Sequence, residues 1–241
     1  MTITVCADHA DASTRASAIV ADALRAQPAL VLGLPTGRTP VALYAALVAA
    51  RLDWATARTF NLDEFVGVPP RDPGSFRAFM DEHLFVRVNL PPAQIGFLRG
   101  DVVDEAGECA RYERAIRAAG GLDLLVLGLG ANGHIGFNEP GPELRAGTHA
   151  VALHASTRAA NADRFGGDPA RVPARALTMG MGHVLRARRI LMVATGPAKA
   201  EAVAALTRGP LTTMCPASWL QVHPGVTLLV DRAAAAHLRD D

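Results

Sequence analysis

Leu122-Asp123-Leu124-Leu125-Val126-Leu127 runs directly into Gly128-Leu129-Gly130-Ala131-Asn132-Gly133-His134-Ile135-Gly136-Phe137-Asn138-Glu139-Pro140. The first part is short and nearly all apolar, the pattern of a strand covered on both faces. The second is a glycine-rich turn that carries an imidazole and a carboxylate off the end of that strand. In an open α/β sheet, chemistry belongs at this place. The glycines let the backbone turn sharply and come close to a ligand. His134 and Glu139 supply groups that move protons.

Similar apolar runs lie at Ile3 to Cys6, Ala29 to Leu34, Ile190 to Ala194 and Val226 to Val230. Between them stand stretches rich in Ala, Arg, Leu and Glu: Ala12 to Ala26, Pro40 to Ala50, Ser75 to Phe85, Asp104 to Ala118 and Pro197 to Arg208. These read as helices, two of them opening with proline. Strand and helix alternate, which predicts an α/β fold: an open, mostly parallel sheet with helices on both faces. The stretch from Gly141 to Val172 is the least regular and is the candidate for a lid.

The chain has 241 residues, 50% of them hydrophobic, enough for a substantial core, and is expected to form a single domain, 1–241. Its 24 basic and 23 acidic residues give a net charge of +1, so no overall field steers it to nucleic acid or to anionic lipid. The start, from Met1 to His9, lacks a basic segment followed by a long apolar run, and no later apolar run is of membrane-spanning length. The expectation is a cytoplasmic protein without a membrane partner. Cys6, Cys109 and Cys215 are odd in number and far apart, which argues against a disulfide framework and for buried thiols.

Three further segments carry candidate chemistry. Leu32-Gly33-Leu34-Pro35-Thr36-Gly37-Arg38-Thr39-Pro40 is a strand end, a polar turn and a proline at a helix start. Free N–H groups there, with two threonine hydroxyls and Arg38, suit a phosphate, although Gly and Pro are also common in any such turn. It lacks the Gly-Lys-Ser/Thr ending of a P-loop. In Phe60-Asn61-Leu62-Asp63-Glu64-Phe65, two acids follow a short apolar segment; Asp63 is a candidate general base, and a solvated turn or helix cap is the competing reading. Lys199 follows Thr195-Gly196-Pro197 at another strand-to-helix turn, where it could close on a phosphate or simply be solvated. His134 has no histidine partner at a familiar metal-ligand spacing, so no metal site is expected.

Together these segments resemble the glucosamine-6-phosphate deaminase family along nearly the whole chain. The resemblance rests on Gly33 to Pro40, Phe60 to Gly67, Gly133 to Pro140, Ala176-Leu177-Thr178-Met179-Gly180 and Leu220-Gln221-Val222-His223-Pro224. It implies a Rossmann-like three-layer fold and conversion of glucosamine 6-phosphate and water to fructose 6-phosphate and ammonia, without metal or organic cofactor. His134, assisted by Glu139, would then open the sugar ring, and Asp63 would take the C2 proton. Thr36, Gly37, Arg38, Thr39, Lys199 and a lid arginine would hold the phosphate.

The pattern departs from the family at three points. Asn132 stands where many members carry an aspartate that pairs with the histidine; an amide orients a ring but supplies no charge, which enlarges the role of Glu139. The family's lid arginine falls on Asp163, with Arg164 one residue later, so Arg164, Arg38 or Arg158 must complete the phosphate site. The family's longer allosteric tail is missing, and Pro142, Glu143, His149 and Val151 do not match the residues used there, so no activation by N-acetylglucosamine 6-phosphate is expected. The rivals are a galactosamine-6-phosphate enzyme, which differs only in hydroxyl stereochemistry, a 6-phosphogluconolactonase and a non-catalytic sugar-phosphate sensor. The lactonase reading is weakened because its typical Thr-Ala-Ser-Leu-Phe-Pro is replaced here by Ile135 to Pro140. The sensor reading is weakened because Ile3 already begins a strand, leaving no room upstream for a helix-turn-helix. The oligomeric state is open.

Overall fold

The computed structural model describes residues 1–238. In chain order its elements are β1 (Thr2–Cys6), α1 (His9–Ala26), β2 (Val31–Leu34), α2 (Val41–Ala49), β3 (Arg58–Asn61), β4 (Asp63–Phe65), α3 (Phe76–His83), β5 (Ile95–Gly96) and α4 (Glu105–Ala118). There follow β6 (Leu124–Gly128), β7 (His149–Ala152), α5 (Ala155–Asn161), β8 (Arg175–Thr178), α6 (Met181–Arg186), β9 (Arg189–Ala194), α7 (Ala200–Arg208) and β10 (Val226–Asp231).

Seven strands form one parallel sheet in the order β1-β10-β9-β6-β2-β3-β5. From β2 the chain moves outward through β3 to β5, then returns to the other side of β2 at β6 and continues to β9 and β10. The connections after β2 and β6 therefore leave in opposite directions and open a crevice at their carboxyl ends, the position where such sheets bind ligands.

Alternation along the strands divides the core into two layers. Leu124, Val126, Leu191, Val193 and Leu229 face one layer with Val20 of α1, Tyr44 of α2 and Met80 of α3. Leu125, Leu127, Ile190, Met192, Leu228 and Val230 face the other, with Tyr112 and Ile116 of α4, Val184 of α6 and Leu206 of α7. Both faces of these strands are thus apolar, which is why they read as unbroken hydrophobic runs. Helix starts follow the expected polar signals: Asp8, Ser75 and Asp104 accept the backbone N–H of Asp11, Ala78 and Gly107. Cys6, Cys109 and Cys215 are free and buried. Among the described residues, no helix is long and apolar enough to cross a membrane.

A second, antiparallel sheet, β4-β8-β7, was not expected from the sequence. Its strands hold three or four residues and lack a clean apolar alternation. Leu62 links it to the main sheet: β3 ends at Asn61, β4 begins at Asp63, and Leu62 accepts the Met179 N–H at 2.7 Å. The stretch from Gly141 to Val172 is more regular than its composition indicated, because it contains β7, α5 and short 3-10 turns.

Candidate active site

The crevice holds a cavity of about 490 Å³. The turn after β2 contributes Thr36, Gly37, Arg38 and Thr39; the β3–β4 junction contributes Leu62 and Asp63. The loop after β6 adds Asn132, His134 and Gly136, α5 adds Ser156, Thr157 and Asn161, and the turn after β9 adds Lys199. Residues separated by up to 163 positions thus meet because four parallel strands end on the same side.

The loop after β6 is fixed by its own backbone. Gly130 N–H donates to His134 O, Gly133 N–H to Gly130 O and Asn138 N–H to Ile135 O, each at 3.0 Å. The Asn138 amide ties the loop to β8 by donating to Ile135 O and Met179 O. Two glycines are required here. A Cβ on Gly130 would stand 2.5 Å from the His134 ring, and Gly136, at φ +57°, brings the backbone beside Asp63, whose Oδ2 would lie 3.2 Å from a Cβ.

His134 Nδ1 faces Glu139 Oε2 at 3.5 Å, an ion-pair distance too long for a made hydrogen bond, and Nδ1 is buried without a hydrogen-bond partner. The Asn132 amide makes no bond to the imidazole, contrary to the expected orienting role. It accepts the His134 backbone N–H at 3.2 Å and donates to Glu139 Oε2 at 3.1 Å, so it fixes the loop and the carboxylate instead. Glu139 Oε1 accepts the Thr157 hydroxyl at 2.5 Å. Burial pushes the Glu139 carboxyl up, but the facing His134 imidazole, the Thr157 hydroxyl bond and the Asn132 amide outweigh it and hold it down at about 2. Glu139 is therefore a carboxylate across the neutral range.

The structure divides the acidic pair. Glu64, 1% exposed, accepts the N–H groups of Phe65, Phe76 and Arg77 at 2.8, 3.0 and 2.9 Å and so anchors the start of α3. Burial nevertheless pushes its carboxyl up, against those N–H groups and the Arg164 charge, to about 7. Asp63 points the other way, into the cavity, and its side chain takes no hydrogen bond from the described residues. Burial, with a smaller push from the Glu64 charge, raises it to about 8. An acid poised near neutral pH is suited to proton transfer.

In the same cavity, the backbone of the β2–α2 turn is opened by Gly37 at φ +101°. Arg38, largely exposed, pairs with Asp163 just beyond α5. Lys199 is half-buried, and desolvation lowers its pKa. The structure does not bring Arg164 to the cavity. Its guanidinium donates to the carbonyls of Pro73, Gly74 and Ser75 at 3.0, 3.1 and 2.7 Å and lies over the rings of Phe76 and Phe79. Those contacts fasten the lid candidate to α3. Arg158 is also turned away, toward the carbonyls of Pro169 and Ala170. Sequence reading missed Ser156, Thr157 and Asn161. A polar residue on a seven-residue helix carries no local signal, and only the packing of α5 over the crevice reveals them.

A family model described as glucosamine-6-phosphate isomerases/6-phosphogluconolactonase matches residues 7–229. The glucosamine-6-phosphate deaminase of Rhodopirellula baltica is 47% identical over 242 residues, covering 98% of this chain and 95% of its own. Glucosamine-6-phosphate deaminase 2 of Bacillus subtilis is 42% identical, covering 99% and 98%. Among solved structures, a monomeric glucosamine-6-phosphate deaminase superposes with a TM-score of 0.95 at 40% identity over 99% of this chain and 100% of its own. The 6-phosphogluconolactonase of Trypanosoma brucei, at 20% identity and a TM-score of 0.78 over 99% and 98%, shares the fold. The chain belongs to the glucosamine-6-phosphate isomerase/6-phosphogluconolactonase family.

Proposed function

We propose that this chain is a glucosamine-6-phosphate deaminase, a cytoplasmic enzyme of amino-sugar catabolism that takes a small sugar phosphate. One observation carries the reading: a single cavity presents a buried carboxyl at Asp63, unbonded among the described residues, and a His134–Glu139 pair at the strand ends, with threonines, Arg38 and Lys199 in the same lining. Deaminases at 42% and 47% identity over almost the full chain support the same substrate.

In this reading Thr36, Gly37, Arg38, Thr39 and Lys199 hold the phosphate, which supplies binding energy remote from the reacting carbons. His134, faced by the Glu139 carboxylate, moves the proton that opens the pyranose. Opening exposes C1 as an aldehyde and acidifies C2–H. Asp63 in its ionised form takes that proton, giving an enolamine, and returns it to C1. The resulting C2 imine adds water and releases ammonia, leaving fructose 6-phosphate. Asp63 lies in the cavity wall beside Gly136, and its raised pKa makes both halves of that transfer accessible near neutrality.

The test is release of ammonia and fructose 6-phosphate from glucosamine 6-phosphate, with galactosamine 6-phosphate and 6-phosphogluconolactone run in parallel. Turnover of the first, unchanged by N-acetylglucosamine 6-phosphate, is the expected result. Turnover of only another substrate overturns the assignment, and binding without turnover of any points to a sensor.

A further inference from the structure

We propose that Thr157 is a positioning residue for proton transfer: through its hydroxyl, α5 holds the Glu139 carboxylate in place beside His134. The inference rests on the deaminase reading of the cavity and extends it to a residue on the element that covers the crevice.

The carboxylate of Glu139 has two oxygens with different duties. Oε2 faces the imidazole at 3.5 Å and takes the Asn132 amide at 3.1 Å, both groups of the same loop. Oε1 takes the Thr157 hydroxyl at 2.5 Å and no other group among the described residues. Thr157 is 3% exposed and Glu139 8%, so water does not substitute freely when that donor is lost. A buried carboxylate oxygen without a donor is costly, and the carboxylate would turn to find one, drawing Oε2 off the imidazole.

Among the described residues, the hydroxyl is also the one side-chain tie between the Glu139 carboxylate and an element outside its loop. α5 lines the cavity through Ser156 and Asn161, and the chain immediately after it places Asp163 on Arg38. α5 and the turn that follows it therefore contact both the Arg38 cation and the Glu139 carboxylate. Among charged groups, His134 faces Glu139 from its own loop. Arg158 of α5 is directed to the carbonyls of Pro169 and Ala170, and Glu143, Arg145, His149 and His154 share a groove with Glu139 on the opposite side of the loop. The Thr157 donor is neutral, so it favours the ionised carboxylate whatever the state of those groups.

The experiment compares Thr157→Val, which keeps the shape and removes the donor, with Thr157→Ser, which keeps the donor, by kcat and KM for glucosamine 6-phosphate between pH 4 and 9. In Thr157→Val, kcat falls about ten- to hundredfold across the profile and KM changes less than about threefold, while the acidic limb, which follows the base Asp63 and not Glu139, keeps its place. Thr157→Ser stays within about threefold of the parent in kcat and keeps its limb. If the valine variant does not fold, Thr157→Ala carries the same expectation. A parental kcat in the valine variant overturns the proposal, and so does equal impairment by Ser and Val, which would mark a packing role. If the parent itself does not turn over the sugar, the functional reading fails, and the tie is read from acid unfolding. The part of parental stability lost between pH 4.5 and about 2 then shrinks in Thr157→Val if Thr157 holds Glu139, and stays whole if it does not.

Discussion

Replacing Asp63 with Asn is expected to abolish turnover and, at the same time, to stabilise the protein by an amount that grows with pH. Asp63 is 6% exposed, takes no side-chain hydrogen bond from the described residues and lies next to Glu64, so its ionised form is disfavoured in the folded state. The carboxyl titrates at about 8 when folded and from 3.8 when unfolded. Between those values the unfolded chain releases the proton first, so the group lowers stability as pH rises from about 4 to about 8. At about 1.4 kcal/mol per pH unit, the burden is about 2 kcal/mol at pH 5, about 4 at pH 7 and about 5 to 6 above pH 8. An amide has no proton to lose there. Exchanging one oxygen for an NH₂ adds its own packing effect, but that offset is constant with pH, and Glu64 is present in both proteins. The slope therefore carries the test. Urea unfolding of both proteins at pH 5, 7 and 9, on the empty cavity, should show a gap that widens by about 3 to 4 kcal/mol across the series. A gap independent of pH would refute the reasoning, since it would mean that Asp63 is ionised in the folded protein throughout.

Two of the three arginines considered for the phosphate, Arg38 and Arg164, should separate cleanly. Arg38→Met raises KM about tenfold or more and leaves the unfolding midpoint nearly unchanged, because the Arg38–Asp163 pair is exposed. Arg164→Met leaves KM unchanged and costs about 1 to 3 kcal/mol in urea unfolding, because three carbonyls lose their donor; the opposite pattern would restore Arg164 to the phosphate site. His134→Gln lowers kcat by about a hundredfold or more, and unchanged turnover would remove the imidazole from ring opening. Glu139→Gln should flatten the acid-unfolding curve between pH 4.5 and about 2, the window in which the parent loses the stabilisation of a carboxylate held low, and an identical curve in that window would show that Glu139 is not so held.

The main sheet was legible because each of its long strands is apolar on both faces: Leu124 to Leu127 and Ile190 to Ala194 announce themselves without context. The helices were legible for a local reason too, since Ser75 and Asp104 cap the helices that follow them. The short strands were not, because Asp63 to Phe65 and His149 to Ala152 are made by pairing across the chain rather than by pattern. Within the site, His134 and Glu139 could be named from the glycine turn that carries them. The fate of Arg164 could not, because one residue of position in the lid candidate decides whether a guanidinium meets a phosphate or three carbonyls. The Asp63–Glu64 pair was ambiguous for a sound reason: the base reading and the cap reading each describe one of the two residues.

That division also defines a fragile point in the design of the chain. Asp63 and Glu64 are consecutive on β4, where neighbouring side chains take opposite sides of the ribbon. A slip of one residue against β8, whose Thr178 stands opposite Asp63, would send the longer acid into the substrate crevice and leave the shorter one to reach for the α3 amides. Both acids would survive, net charge and composition would be identical, and both tasks would fail together. Insertions or deletions between Asn61 and Phe65 are therefore excluded more strictly than most substitutions there, and any recombination of this chain with a relative should place its crossover outside that five-residue window.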